Sequence, residues 1–187
     1  SIYRASAYSG KTEHHASIKN PLSKDLDVMR ANMLFPLLDI ALYNHNRKRS
    51  DLKLFEFGKT YFKHHQGYDE INHLAVLLTG NRNKAHWQVK PGAYSIYFLK
   101  TVVDNIIAEC RAGHHKLKWQ PVSDDHLEVS MHLCTGKQEV ARIGLVRKQI
   151  VKSFDLDGAV WYADVNLDVV EKIVKTDSVK INEPPKF

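Results

Sequence analysis

The spacing of apolar and polar positions divides the chain into a helical opening, a strand-rich middle and a closing helix. Asn20-Pro21-Leu22-Ser23 is a turn signal, and Ser23 is placed to cap a short helix from Lys24 to Met29, with Asp25 and Asp27 near its positive end. An apolar stripe continues through Met33, Leu34, Leu37, Leu38 and Leu42, but Pro36 interrupts it. Proline inside a helix costs about 3 kcal/mol, whereas in the first helical position its missing N–H is harmless. The pattern therefore predicts a second helix from Pro36 to Arg47, with Leu37, Leu38, Ala41 and Leu42 inward.

Leu52 to Phe62 is dense in aromatic and aliphatic residues and predicts a central strand. A loop is expected from His64 to Ile71, followed by a buried strand from His73 to Thr79 that runs antiparallel to the first. Pro91-Gly92 introduces a helix from Ala93 to Cys110, with Tyr94, Tyr97, Phe98, Val102, Ile106 and Cys110 on its inner stripe and Gly113 ending it. Strands are predicted at Leu117–Val122, His126–Cys134, Glu139–Val146 and Ala159–Val165. A helical turn is expected around Arg147 to Phe154 and a helix from Leu167 to Lys175. Strands outnumber the chances for βαβ crossovers, so the fold class is α+β around a mainly antiparallel sheet flanked by helices.

Composition narrows this picture only a little. The 187 residues are 43% hydrophobic and 26% charged, enough for one globular domain with a real core, and no apolar run approaches the roughly 20 residues that a bilayer helix needs. Ser1 to Gly10 has no secretory pattern. The two cysteines, Cys110 and Cys134, are too few for a disulfide scaffold and are expected to pack as small hydrophobes, which favours a reducing cytoplasm. A net charge of +6 favours acidic partners such as RNA, although 21 acidic residues offset much of it.

Candidate chemistry is sparse. Three His-His pairs (His14-His15, His64-His65, His114-His115) lack zinc-like spacing and read as solvated loop histidines. On the strand from His126 to Cys134, Leu127, Val129, Met131 and Leu133 alternate with His126, Glu128, Ser130, His132 and Cys134. The second set contains the residue types of a hydrolase, but same-face neighbours about 7 Å apart cannot form a nucleophile–base pair, so a half-exposed strand is expected. Glu56 stands alone between Phe55 and Phe57 and is expected near a sheet end, paired with a cation or facing a cavity; pairing with a nearby arginine, with Arg30 the candidate, is favoured over a ligand-facing carboxylate. Arg47 to Arg49 and Arg147-Lys148 fall at helix ends, where dipole and solubility roles compete with phosphate contact. No P-loop, dinucleotide glycine fingerprint or nucleophile elbow occurs, so no catalytic, cofactor-binding or metal-ligating residue is assigned.

One ordered set of motifs adds to this reading. Asn20 to Arg30 (NPLSKDLDVMR), Leu34-Phe35-Pro36-Leu37-Leu38, Asn46-Arg47 and Leu54-Phe55-Glu56-Phe57-Gly58-Lys59 together resemble the synthetase-like core of the bacterial phenylalanine–tRNA ligase β subunit. His73-Leu74-Ala75, Thr79-Gly80, Gly144-Leu145-Val146 and Phe154-Asp155-Leu156 look like later landmarks of the same domain. The resemblance spans Asn20 to Asp168, dense before Gly80 and sparse between Asn81 and Glu139.

The resemblance implies a class II aminoacyl-tRNA synthetase-like fold that has lost aminoacylation and supports assembly with a catalytic α subunit. Residues 1–187 are then expected to be a single core domain cut from a larger subunit. The whole enzyme would be a cytoplasmic α2β2 heterotetramer that uses ATP and magnesium and engages tRNA. An active class II site carries an arginine on its second-motif strand and a glycine-rich arginine motif near its end. The strand from Leu54 to Phe62 offers Lys59 but no arginine, and Trp161 to Lys175 has no such motif. An active adenylate-forming domain, argued from Glu56 and Lys59, and an autonomous RNA-binding module, argued from Arg47 to Arg49, are the alternatives.

Overall fold

A computed structural model describes residues 29–65, 67–83, 87–88, 90–112 and 116–176. The expected helix from Lys24 to Met29, the turn before it, Gly113 and the histidines at 14, 15, 114 and 115 lie outside these residues, apart from Met29 itself.

Ten elements follow in order: α1 (Leu34–His45), β1 (Leu52–His64), β2 (Gly67–Thr79), α2 (Ile96–Glu109), β3 (Leu117–Pro121), β4 (Leu127–Thr135), β5 (Gln138–Val146), α3 (Lys148–Ser153), β6 (Val160–Asn166) and α4 (Leu167–Thr176). The six strands form one sheet in the order β1-β2-β6-β5-β4-β3. Every neighbouring pair is antiparallel. The sheet and its flanking helices are the α+β arrangement that the sequence predicts.

Alternation along the strands loads the sheet on both faces. On one face α2, through Leu99, Val103 and Ile107, and α4, through Val169, Val170 and Ile173, pack on Leu74, Leu78, Ile143 and Val165. On the other, α1 and α3 pack Leu34, Leu37, Leu38, Ala41 and Val151 against Ala75, Leu77, Leu127, Val146 and Tyr162. Each fully buried aliphatic side chain contributes about 1.5–3 kcal/mol, so these two clusters supply most of what orders the sheet.

Several expectations need correction. Helix α1 begins at Leu34, not Pro36, because the Asn32 side chain accepts from the N–H groups of Leu34 and Phe35 at 3.1 and 3.3 Å. Pro36 sits in the first turn, where its N–H would have no helical partner anyway. Replacing Asn32 with Ala is expected to lower stability by about 0.5–2 kcal/mol, read as a lower thermal midpoint with unchanged helix content at low temperature.

Strand β1 is an edge strand, not a central one, and Phe55 and Phe57 are 70% and 65% exposed. Its apolar density reflects one inner face, Leu52 and Leu54, and an outer aromatic pair. The expected loop from His64 to Ile71 is largely ladder: β1 and β2 pair along their whole length, from Leu52 opposite Thr79 to His64 opposite Gly67.

The inner stripe of α2 is centred one residue on from the expected one, although Tyr94 is buried and Phe98, Ile106 and Cys110 still pack against the same cluster. Ser95 caps the helix by accepting from Phe98 N–H, Leu99, Val103 and Ile107 are buried, and Tyr97 is 75% exposed. The i, i+4, i+8 row of aliphatics wins over the aromatic row because it fits against the small and branched residues of β5 and β6.

A further correction falls on β4. Its register to β5 shifts between Leu127 and Val129, so Glu128 is the extra residue of a bulge. Leu127 consequently joins the α1/α3 core, while Leu133 and Met131 pack on the α2/α4 side. The bulge also brings the Val129 carbonyl over Gly144, where any Cβ would collide with it.

Candidate functional site

The polar side of β4 is not half-exposed. Ser130 and His132 are buried, and they lie at one end of a layer of polar side chains that crosses the sheet on the α1/α3 face. The layer starts on β1, where Thr60 Oγ1 lies 2.9 Å from His73 Nε2 on β2. His73 Nδ1 is 2.7 Å from Asp164 Oδ1 on β6, and because the carboxylate accepts, Nδ1 carries the proton of that bond. Arg142 on β5 donates through Nη2 to Asp164 Oδ2 at 3.0 Å and places Nη1 3.7 Å from Asp124 Oδ2. His132 closes the layer, with Nδ1 2.7 Å from Glu139 Oε2 and Nε2 4.0 Å from Asp124.

The electrostatics of this layer are those of a network closed around Asp164 and Arg142, while His132 Nε2, buried at its end, has no hydrogen-bond partner. Burial alone would raise the Asp164 carboxyl, but the His73 hydrogen bond and the Arg142 guanidinium hold it below the usual carboxylate value. Burial likewise disfavours charge on Arg142, yet Asp164 beside it keeps the guanidinium pKa above its ordinary value. The Tyr162 hydroxyl is buried without a hydrogen-bond partner, and burial followed by the Asp164 charge pushes its pKa well up, so it stays a neutral phenol. Beside it, a cavity of about 10 Å³ bordered by Asn32, Asp124, His126 and Arg142 has room for one water at most. Burial also lowers the pKa of His126.

Glu56 is paired as expected: Arg30 Nη1 is 2.6 Å from Glu56 Oε1, and Arg30 Nε donates to the Lys59 carbonyl at 2.8 Å. Lys59 projects from the opposite face and is ion-paired to Glu70, which raises its pKa. A groove of about 580 Å³ between β1 and α4 is lined by Arg30, Phe57, Lys59, Asn72, His73 and Asp168. Its polar groups are already engaged, since Asn72 donates to Asp168 through Nδ2 at 2.7 Å and through its backbone N–H at 3.0 Å, which lowers the Asp168 pKa.

The hydrolase-like residue types of β4 do not assemble into a nucleophile. Ser130 Oγ donates to the Val122 carbonyl, and Cys134 Sγ accepts from Gln120 Nε2 at 3.2 Å. Cys110 and Cys134 are both free and partly buried. Among the described residues no cluster of three or more histidine, cysteine or acidic side chains could hold a metal ion. Sequence reasoning missed Asp124, Arg142 and Asp164. The one available signal was two charged residues, Arg142 and Asp164, standing inside otherwise apolar strands.

What remains open is the edge. Phe55 and Phe57 form an edge-to-face pair with centroids 6.2 Å apart on the face that α2 and α4 cover elsewhere. No helix among the described residues covers the pair, and single exposed apolar residues are ordinary whereas a paired aromatic patch on a free edge is not.

This architecture, one antiparallel six-stranded sheet between helices, is the class II aminoacyl-tRNA synthetase-like fold. A pyrrolysyl-tRNA synthetase from Desulfitobacterium hafniense superposes with a TM-score of 0.63 at 10% identity, over 91% of this chain and 56% of that one. A second structure of that synthetase gives 0.54 at 14% identity, over 86% of this chain and 57% of the other. Residues 3–167 match the family described as the phenylalanyl tRNA synthetase beta chain CLM domain, and the chain belongs to that family.

Curated relatives agree with the family. The phenylalanine–tRNA ligase beta subunit of Bacteroides thetaiotaomicron is 33% identical over 100% of this chain and 24% of its own length. That of Lactobacillus acidophilus is 28% identical over 98% of this chain and 23% of its own length. That of Thermotoga maritima is 26% identical over 83% of this chain and 20% of its own length. The chain thus spans about a quarter or less of the relatives it matches. No helix among the described residues is long and apolar enough to cross a membrane.

Proposed function

We propose that this chain is a non-catalytic subunit-association domain of a phenylalanine–tRNA ligase β subunit, holding a catalytic α subunit in a cytoplasmic α2β2 assembly. The observation that carries the reading is the closed polar layer. Adenylate chemistry on a class II sheet needs cations aimed at the triphosphate. On the α1/α3 face Arg142 is occupied by Asp164 and Asp124, and Arg30 by Glu56. Magnesium fares no better, since Asp164 is committed to His73 and Arg142, and Asp124 accepts from the N–H groups of His126 and Leu127. These residues do not fit a nucleotide–metal site, and ATP and magnesium belong to the companion subunit in this reading.

Pyrophosphate exchange into ATP tests it. The isolated chain is expected to show none with phenylalanine present, and exchange above background that tracks the chain's concentration would overturn the non-catalytic assignment.

A further inference from the structure

The turn between α1 and β1 gathers exposed cations beside an exposed tyrosine. Helix α1 ends at His45, and the next residues are locked by backbone hydrogen bonds from Asn46 N to Leu42 O, Arg47 N to Asn44 O, Lys48 N to His45 O and Arg49 N to Asn44 O, at 2.8–3.1 Å. Lys48 takes a left-handed conformation, φ 61°, which turns the chain sharply and points successive side chains outward. Arg47 is held twice, by an Nη1 hydrogen bond to the Tyr43 carbonyl at 3.0 Å and by its guanidinium lying 3.4 Å from the centroid of the Tyr43 ring. Tyr43 is 57% exposed, so the stacked pair offers its outer side to solvent.

Arg47, Lys48, Arg49 and, at the start of β1, Lys53 are all exposed, and none has a carboxylate partner among the described residues. The nearby carboxylate of Asp51 is used locally, accepting from Asn81 N–H at 2.6 Å. The helix dipole favours a cation within the last turn only, which accounts for Arg47 at most and leaves Lys48, Arg49 and Lys53 unexplained. Arg49 also borders a cleft of about 90 Å³ with His45, Ser50, Gly80, Asp157 and Gly158.

We propose that the α1–β1 turn is an RNA-contact surface, in which Arg47, Lys48 and Arg49 engage backbone phosphates and the Tyr43–Arg47 stack receives an unpaired base. Fixed cations beside a flat, exposed cation–aromatic platform are the two elements of single-stranded RNA recognition. An acidic protein would use the charges but not the platform. The inference rests on the tRNA-ligase reading above only for the choice of RNA, which is tRNA.

Salt-dependent binding of the whole chain to a phenylalanine tRNA transcript tests the proposal. The triple variant Arg47→Gln, Lys48→Gln, Arg49→Gln is expected to lose about tenfold or more in affinity near 0.1 M salt. Its slope of log affinity against log salt should be shallower by roughly two, the loss of about three phosphate contacts. Tyr43→Ser is expected to weaken binding severalfold with the slope unchanged. Lys116→Gln with Lys118→Gln, on and before β3, serves as the control and should bind as the unaltered chain does. Equal losses in control and triple variant would mean diffuse attraction and would overturn the site, as would binding of polyglutamate as tight as that of tRNA and equally sensitive to the triple variant. The triple variant should still associate with the α subunit, so failure of RNA binding and failure of subunit association read out separately.

Discussion

Asp164→Ala is expected to destabilise the domain by about 3–5 kcal/mol, because it leaves Arg142 and His73 facing a buried gap with no counter-charge between them. The lower part of that range is expected, since Arg142 keeps Asp124 at 3.7 Å and is 30% exposed. Urea denaturation gives the measurement, and a loss under about 1 kcal/mol would mean that the layer is not a structural element. The pH dependence follows from the depressed Asp164 pKa. A carboxyl held below its unfolded value near 3.9 contributes its full stabilisation above that pH and loses it as pH falls through the folded value. The gap between the unaltered chain and Asp164→Ala should therefore shrink as pH falls below about 4.

Phe55→Ser combined with Phe57→Ser is expected to weaken association with the α subunit by at least about thirtyfold while leaving the melting temperature nearly unchanged. An aromatic hot spot at the centre of an interface costs about 2 kcal/mol or more when truncated, which taken for the pair as a unit is about thirtyfold, whereas removing exposed side chains usually changes stability by less than 0.5 kcal/mol. Among the described residues the outer edge of β1 is unpaired and adds backbone N–H and C=O groups that a strand could pair with, but only up to Gly58, because Tyr61 N–H already bonds the Arg30 carbonyl at 2.9 Å. Sedimentation velocity on mixtures of the chain and the α subunit measures the effect. Unchanged complex formation would place the contact on another face.

The fold was legible where periodicity is local. Strands β3, β5 and β6 and helices α3 and α4 lie within about three residues of their expected bounds, because alternation and the 3.6-residue period report burial without reference to neighbours. The position of β1 in the sheet was not legible. Phe55 and Phe57 read as core residues, and only strand order reveals that nothing among the described residues stands over them. Glu128 could not be seen as a bulge either, since one inserted residue leaves the alternation of Leu127 and Val129 looking intact. The Arg30–Glu56 pair was inferable because a lone carboxylate in an apolar strand demands a cation. The polar layer was not, because its members come from five strands and a loop, and charged residues inside apolar strands mark Arg142 and Asp164 without showing which groups they meet.

The unequal lengths of the β1–β2 hairpin and its neighbour have a thermodynamic meaning of their own. Strand β2 pairs with β6 only from His73 to Thr79, so Gly67–Asn72 and the matching part of β1 extend past the sheet as a two-stranded arm. That arm is held by the surface pairs Lys59–Glu70 and His64–Asp69 and by Asn72 on Asp168, and its root is the buried Thr60–His73 bond. Exposed ion pairs of this kind add little to stability. The arm is therefore expected to open as a separate unit in hydrogen exchange, its amides at low free energy and those of His73–Thr79 only with the whole domain, with the Thr60–His73 contact as the boundary.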